Sequence, residues 1–419
     1  MAQINLSVEY YNEVQRLLFQ SFPNAMQLNN LVANDVIISK DELLAYMMFT
    51  DQRDANGFRT YDELRDRIQH RLGDIDEYLS FNNGSVQSLV DSGAMNRIAF
   101  TNRLGVALGL CVTNKIHGLT EADWKIIPET NQHSTFDFEI PIASTGTNFI
   151  QVENKGSVVD DNDYKRPTVS QHYGDITDKK NYVRAEEKRR GITTNQNLFY
   201  GTIGVLDTRA NSKAKVWLVD PPAFEIEMNP EKYKLLARLH YYLDEFKNIG
   251  VKERIIKAIE KRIVEIESSS DYTKFNNIPL DYPYPKAYHL FMDGKMFAAV
   301  DTNEAFGKIF IVEQKQNIYA YLIAFPKALM RIIILQNFEN ILNYEYNPDF
   351  INESVQVLMR LGGKEIEQPK LPKNLKFVFN ERRKYYEATY FGKVNHSTDG
   401  RIFGLLDGEI QDQVHKEDK

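Results

Sequence analysis

The stretch FDFEIPIASTGTNFIQVENKG, residues 136 to 156, constrains this chain more than any other. Two runs of strand-forming residues flank a small, polar, glycine-bearing turn, Ala143 to Asn148, which is hairpin chemistry. Side chains two apart on a strand share a face, so Asp137 and Glu139 point one way, and so do Glu153 and Lys155. Pairing of the two strands would bring three carboxylates and an ammonium to one spot. An oxygen-rich cluster of that kind suits Mg²⁺ or Mn²⁺, and a neighbouring lysine can orient a water for attack on phosphate.

Glu-x-Lys alone is common on solvated strands, and the chain contains its own control. IFIVEQK, residues 309 to 315, repeats the pattern with Glu313 and Lys315, and Asp301 lies upstream. QNIYAYLIAF comes after that copy across a tight turn, which predicts a plain hairpin. The first copy leads instead into a polar loop, Gly156 to Pro167, and then into a stretch that can be helical from about Ser170 to Arg190. Upstream, AMNRIAFTNRLGVALGLCV spaces Leu104, Leu108 and Val112 one turn apart, an amphipathic helix, and Trp124 to Ile127 can form a short strand. LFYGTIGVLD and AKVWLVD offer two further strands, at about 198 to 207 and 214 to 220.

Helix, strand, acidic strand, Glu-x-Lys strand, helix, over about residues 94 to 225, resembles the PD-(D/E)XK nuclease superfamily, the restriction-endonuclease-like fold. Asp137 (or Glu139) matches the family's first acid, Glu153 the second and Lys155 the lysine. Phe136 stands where a proline often precedes the first acid, and Asn154 where an apolar residue is commoner. The resemblance implies a Mg²⁺- or Mn²⁺-dependent phosphodiesterase. Its metal ligands would be Asp137, Glu139, Glu153 and the backbone carbonyl of Asn154, with Lys155 positioning the attacking water and Gln171 as a further polar helix residue at the site. DNA is the expected substrate, cut by an endonuclease of restriction or phage-defence type. A homodimer and a partner protein of a defence or restriction system would be in keeping with that role. The other readings are a non-catalytic DNA-binding sensor or adaptor on the same scaffold, and an RNA nuclease.

Charge bears on the substrate. The net charge of −7 argues against a dedicated, high-affinity nucleic-acid binder, so local distribution matters more. Lys179, Lys180, Arg184 and Arg189 cluster in the helix after the Glu-x-Lys strand, where they can contact a phosphate backbone or form an ordinary solvated face. His172 on the same helix, and His133 before the acidic strand, read as surface histidines. The single cysteine, Cys111, lies in the apolar run LGLCV; it excludes an internal disulfide and predicts a reducing, cytoplasmic setting. Met1 to Glu9 carries no basic stretch leading into an apolar core, so no signal peptide is expected. The greasiest segment, Asn317 to Leu335, is broken by Pro326, Lys327 and Arg331, so no membrane span or membrane partner is expected. No GxxxxGK[ST], GxSxG or Cys/His pairing appears, which argues against a phosphate-binding loop, a covalent nucleophile and a structural zinc.

The expected fold class is α/β, an α+β mixed sheet. Residues 1–93 read as a helical N-terminal region, with Val14, Leu17 and Leu18 at helical spacing. Residues 94–228 would be the nuclease-like core, 229–270 a helical hairpin opened by Asn229-Pro230, and 271–419 an α+β, β-rich C-terminal domain for recognition or dimerisation. SSSDYTKFNN reads as the linker. FAAV, KIFIV, IYAYLIAF, RIIIL and LKFVF read as strands. Tyr385, Tyr386 and Tyr390 beside Arg382, Arg383 and Lys384 can stack on bases and contact phosphates, or can form an ordinary strand.

Overall fold

The computed structural model describes residues 3–20, 25–49, 61–82, 84–94, 98–126, 137–142, 148–162, 166–189, 197–209, 213–219, 230–281, 296–300, 304–314, 317–347, 354–362, 378–380 and 385–406. The chain is a mixed α/β protein of two compact units, residues 1–57 with 71–238 and residues 58–70 with 239–419.

The first unit opens with β1 (Gln3–Tyr10), α1 (Glu13–Phe19), α2 (Ala25–Ala33), β2 (Val36–Ser39) and α3 (Lys40–Phe49). After α4 (Tyr61–Tyr78) comes the small hairpin β3 (Leu79–Asn82) and β4 (Ser85–Ser88). Next come α5 (Ile98–His117), β5 (Lys125–Ile126), β6 (Phe138–Ile142), β7 (Asn148–Val159), α6 (Pro167–Arg189), β8 (Asn197–Asp207), β9 (Ala214–Val219) and α7 (Pro230–Ile249), residues 61–70 of α4 and 239–249 of α7 being counted with the second unit. The strands form one seven-stranded mixed sheet in the order β2-β1-β9-β8-β7-β6-β5. β5, β6 and β7 are antiparallel neighbours, β7 and β8 run parallel, and β1 adds parallel to β9.

Alternation along the strands decides which helix covers which face. Ile150, Val152, Leu206, Val216 and Leu218 are buried in one cluster with Leu104, Leu108 and Val112 of α5. Ile203, Val205, Trp217 and Val219 are buried on the other face with Val169 and Ile176 of α6. α5 lies unusually close to the sheet, and missing side chains make that possible. A Cβ on Gly105 would overlap the backbone of Lys155 and Gly156, and one on Gly109 would overlap the Asn154 and Thr202 side chains. A Cβ on Gly156 would in turn strike the Thr101 carbonyl. The Glu-x-Lys strand is thus clamped from behind by helix backbone.

The second unit contains α8 (Glu253–Ser268), β10 (Met296–Val300), β11 (Ala305–Gln314), β12 (Asn317–Pro326), α9 (Lys327–Leu335), α10 (Phe338–Leu342), β13 (Ser354–Gly362), β14 (Val378–Asn380), β15 (Tyr385–Lys393), β16 (Asn395–His396) and β17 (Ile402–Leu406). These strands make an eight-stranded sheet in the order β14-β15-β13-β10-β11-β12-β17-β16. A buried polar knot closes it: Tyr241 donates to Asp399, Arg401 donates to the Tyr241 hydroxyl at 2.7 Å, and Arg401 pairs with Glu245 at 3.1 Å.

Several expectations change here. Residues 1–93 are not a separate helical region, because β1 and β2 belong to the same sheet as the Glu-x-Lys strand. On α1 the apolar stripe is reversed: Val14 and Leu17 are exposed, while Gln15 and Phe19 are buried. RIIIL is helical, as part of α9, and buries Ile333 and Ile334. SSSDYTKFNN is no linker between units, since it lies within 239–419 and Tyr272 is buried, stacked on Phe338. Lys315, Arg382, Arg383, Lys384, His133 and the side chains of Tyr385, Tyr386 and Tyr390 lie outside the described residues. Among the described residues no helix is long and apolar enough to cross a membrane.

The clamp gives a matched pair of substitutions. Gly73, in α4, has open space where its Cβ would sit, so Gly73→Ala should stabilise by about 1 kcal/mol through helix propensity. Gly105→Ala, the same change in another helix, should destabilise by about 1–3 kcal/mol because the new methyl overpacks against β7 backbone. Urea unfolding of both variants checks this; equal effects would mean α5 does not sit tightly on β7.

Candidate active site

The register of the hairpin builds the site. Phe138 pairs with Val152, and Asp137, the residue before β6, donates its N–H to the Val152 carbonyl at 3.1 Å. Lys179 of α6 lies within ion-pair distance of both Asp137 and Glu153, so the two carboxylates sit side by side on one face of the sheet. Their face is the one covered by α6, and the alternation that carries Val152 and Asn154 towards α5 carries Glu153, Lys155 and Ser157 towards α6.

Glu153 is fully buried, at 0% exposure. Its Oε1 lies 2.7 Å from Lys155 Nζ and its Oε2 lies 2.6 Å from Lys179 Nζ. Lys179 Nζ also stands 3.8 Å from Asp137 Oδ1, and Asp137 Oδ2 accepts a 2.8 Å hydrogen bond from the Asn154 backbone N–H. Two carboxylates and two ammoniums therefore form one compact cluster. Burial, and then the adjacent Glu153 carboxylate, push the Asp137 carboxyl up to about 7, against the pull of Lys179. For Lys155, burial acts to lower the pKa, but the charge and hydrogen bond of Glu153 outweigh it and hold the ammonium above its ordinary range.

Asn154, the polar residue between acid and lysine, faces the opposite way. Its Oδ1 accepts from the Thr202 hydroxyl at 2.7 Å, beneath Gly109 of α5. An amide fits there because Thr202 offers it a hydroxyl and Gly109 leaves it room. Only the backbone of Asn154 belongs to the carboxylate face.

On α6 the cluster is served by a stripe at helical spacing, Val169, His172, Ile176 and Lys179. Val169 and Ile176 anchor the helix in the apolar layer, and His172 and Lys179 reach β7. His172 Nε2 lies 2.9 Å from Ser157 Oγ, and burial holds its pKa below the ordinary imidazole value, so the ring is neutral near pH 7. His172, read from the sequence as a surface residue, and Lys179, read as a phosphate contact, both face the strand. The three- and four-residue steps between them are the available signal, because two apolar positions fix which side of the helix is inward.

The other expected residues fall elsewhere. Gln171 is exposed on α6, outside the inward stripe. Lys180 is 3% exposed, too buried to meet a phosphate backbone. Arg184 is half-buried, and Arg189 is exposed but paired with Glu186 at 2.6 Å. The exposed described face of α6 also carries Asp175 and Asp178, so it is not the basic surface expected from the sequence. Glu139 pairs with Gln151, two residues along from Asp137, and its side chain lies outside the described residues. Among the described residues no group of three or more His, Cys, Asp or Glu is placed to hold a metal. The acidic pair is Asp137 and Glu153.

No protein-family model, characterised protein or solved structure matches the chain.

The raised Asp137 carboxyl makes stability depend on pH. Its folded value of about 7 exceeds its ordinary value of 3.8, so between those pH values the folded protein binds more protons than the unfolded chain. The stabilisation is complete below about pH 4 and is lost as pH rises through about 7. In chelator, the wild type should lose stability relative to Asp137→Asn as pH is raised across that window. Urea unfolding at successive pH values measures it, and parallel curves for the two proteins would contradict the placement of Asp137 against Glu153.

Proposed function

We propose that this chain is a Mg²⁺- or Mn²⁺-dependent phosphodiesterase that cuts DNA, of the PD-(D/E)XK type and of a restriction or defence role. The observation that carries the reading is the Asp137–Glu153 pair on one face of adjacent strands, with Lys155 2.7 Å from Glu153. The order of elements supports it: α5, β5, β6, β7, α6 and β8 run helix, three antiparallel strands, helix, strand, with the last strand parallel to the Glu-x-Lys strand.

The donor set suits a hard divalent cation. It is all oxygen, Glu153 is fully buried and Asp137 partly so, and burial together with the neighbouring Glu153 carboxylate raises the Asp137 pKa to about 7. Asp137, Glu153 and the Asn154 carbonyl would hold the ion, which when bound polarises the scissile phosphate and acidifies a water. The protein's own groups do the rest. Lys155, held charged by Glu153, orients the attacking water and stabilises charge developing on the phosphate oxygens. The backbone N–H of Asn154 fixes the Asp137 carboxylate, so the acids need no rearrangement before reaction. The α5 clamp prevents β7 from shifting register as charge changes in front of it.

Supercoiled plasmid with Mg²⁺ or Mn²⁺ tests the reading. Nicking or linearisation should occur, stop in chelator and be slight with Ca²⁺. Lys155→Ala and Glu153→Ala should each lower the rate by about 10²–10³-fold or more, and Lys315→Ala should leave it unchanged. Binding of DNA without cleavage would favour the non-catalytic sensor, and cleavage confined to RNA would move the substrate class. Cleavage that survives chelation would overturn the metal mechanism.

A further inference from the structure

We propose that Lys179 is a built-in counter-ion that holds the place of the divalent cation, so that cation and ammonium compete for one carboxylate edge and Lys179 sets the cation concentration the site requires. The inference rests on reading Asp137 and Glu153 as cation ligands. Lys155 and Lys179 divide the Glu153 carboxylate between them: Lys155 takes Oε1 at 2.7 Å and Lys179 takes Oε2 at 2.6 Å. Lys179 alone of the two also lies within ion-pair distance of Asp137, 3.8 Å from Oδ1. A cation held by both acids would have to compete for the place between Glu153 Oε2 and Asp137 Oδ1 that Lys179 occupies.

Charge counting leads to the same residue. Two carboxylates and two ammoniums are formally neutral, and a divalent ion added with both lysines in place would leave two uncompensated positive charges in a largely buried cluster. One ammonium has to withdraw. Lys155 is tied to the oxygen that a bridging ion does not need, and it comes from the rigid strand β7 itself. Lys179 comes from α6, which Val169 and Ile176 keep seated, so its side chain can swing away without moving the helix. Without Lys179 the two acids would face each other with one counter-ion fewer, so the lysine also stabilises the cation-free protein.

Mn²⁺ binding to the full chain without DNA tests this, with free Mn²⁺ followed by electron paramagnetic resonance. Lys179→Met keeps the length of the side chain and removes the charge, and should bind Mn²⁺ about tenfold or more tightly than the wild type, since a competing unit charge at contact distance is gone. Lys179→Arg keeps the charge and should not tighten binding. Glu153→Gln should abolish binding in both the wild-type and Lys179→Met backgrounds. Unchanged or weaker Mn²⁺ affinity in Lys179→Met, with Glu153-dependent binding intact in the wild type, overturns the placeholder alone. Absence of Glu153-dependent binding in either protein overturns the metal reading and the placeholder with it. Should Lys179→Met fail to fold, a Mn²⁺-soaked crystal of the wild type decides: Lys179 Nζ should have left hydrogen-bond reach of Glu153, and an ammonium still in place beside a bound ion rejects the competition.

Discussion

A carboxylate with no exposure to water is expensive, and much of the first unit depends on how Glu153 is accommodated. An isolated buried charge costs several kcal/mol even after relaxation, so it persists only with close partners of opposite sign. Glu153 has two, and they come from different elements: Lys155 from its own strand and Lys179 from α6. The first is a local consequence of two-residue periodicity. The second requires α6 to lie across the β7 face at one particular rotation, and Val169 and Ile176 impose it.

The back of the same strand shows the complementary constraint. Between Gly105 and Gly156 there is no room for a side chain, so α5 fixes the backbone of β7 by direct contact, and Gly109 leaves room only for the Asn154 and Thr202 side chains. Glycine in a helix or strand costs conformational entropy, which makes sense here only because close approach needs it. One face of β7 is therefore held against helix backbone, and the other carries Glu153 and Lys155. Such a division suits a site whose charge changes while its geometry does not.

The features legible in the sequence are those that depend on short range. The hairpin, the shared face of Asp137 and Glu153, the helix after the polar loop and the strands from 197 to 219 all arise from alternation and turn residues within a few positions of one another. β1 escapes such a reading because one partner, β9, is some two hundred residues away in parallel pairing and the other, β2, comes only after α1 and α2, so no local turn announces it. RIIIL reads as a strand because a short apolar run has no period that separates helix from strand, and here the preceding Pro326 serves as the N-cap. Lys179 reads as a solvated cation because charge runs on helices usually are solvated. Only the inward stripe from Val169 to Lys179 distinguishes it from Lys180, whose burial the sequence pattern does not reveal either.

The two Glu-x-Lys copies show why the motif is not the site. Glu153 and Glu313 both lie on strands, and both strands pair antiparallel with a neighbour. Glu313 is exposed and pairs in register with Ile318, so its charge is solvated and nothing in the fold has to answer it. Glu153 lies beside Asp137 and under a helix, so its charge recruits two ammoniums and adds to the effect of burial in raising the Asp137 pKa. The difference originates in the element downstream of each lysine. After Lys315 the chain returns at once as β12 and leaves the acid at the surface, whereas after Lys155 the strand runs on to Val159 and the chain comes back as α6, which covers the acid. Chemistry at Glu153 thus depends less on the three residues of the motif than on the helix that comes after them.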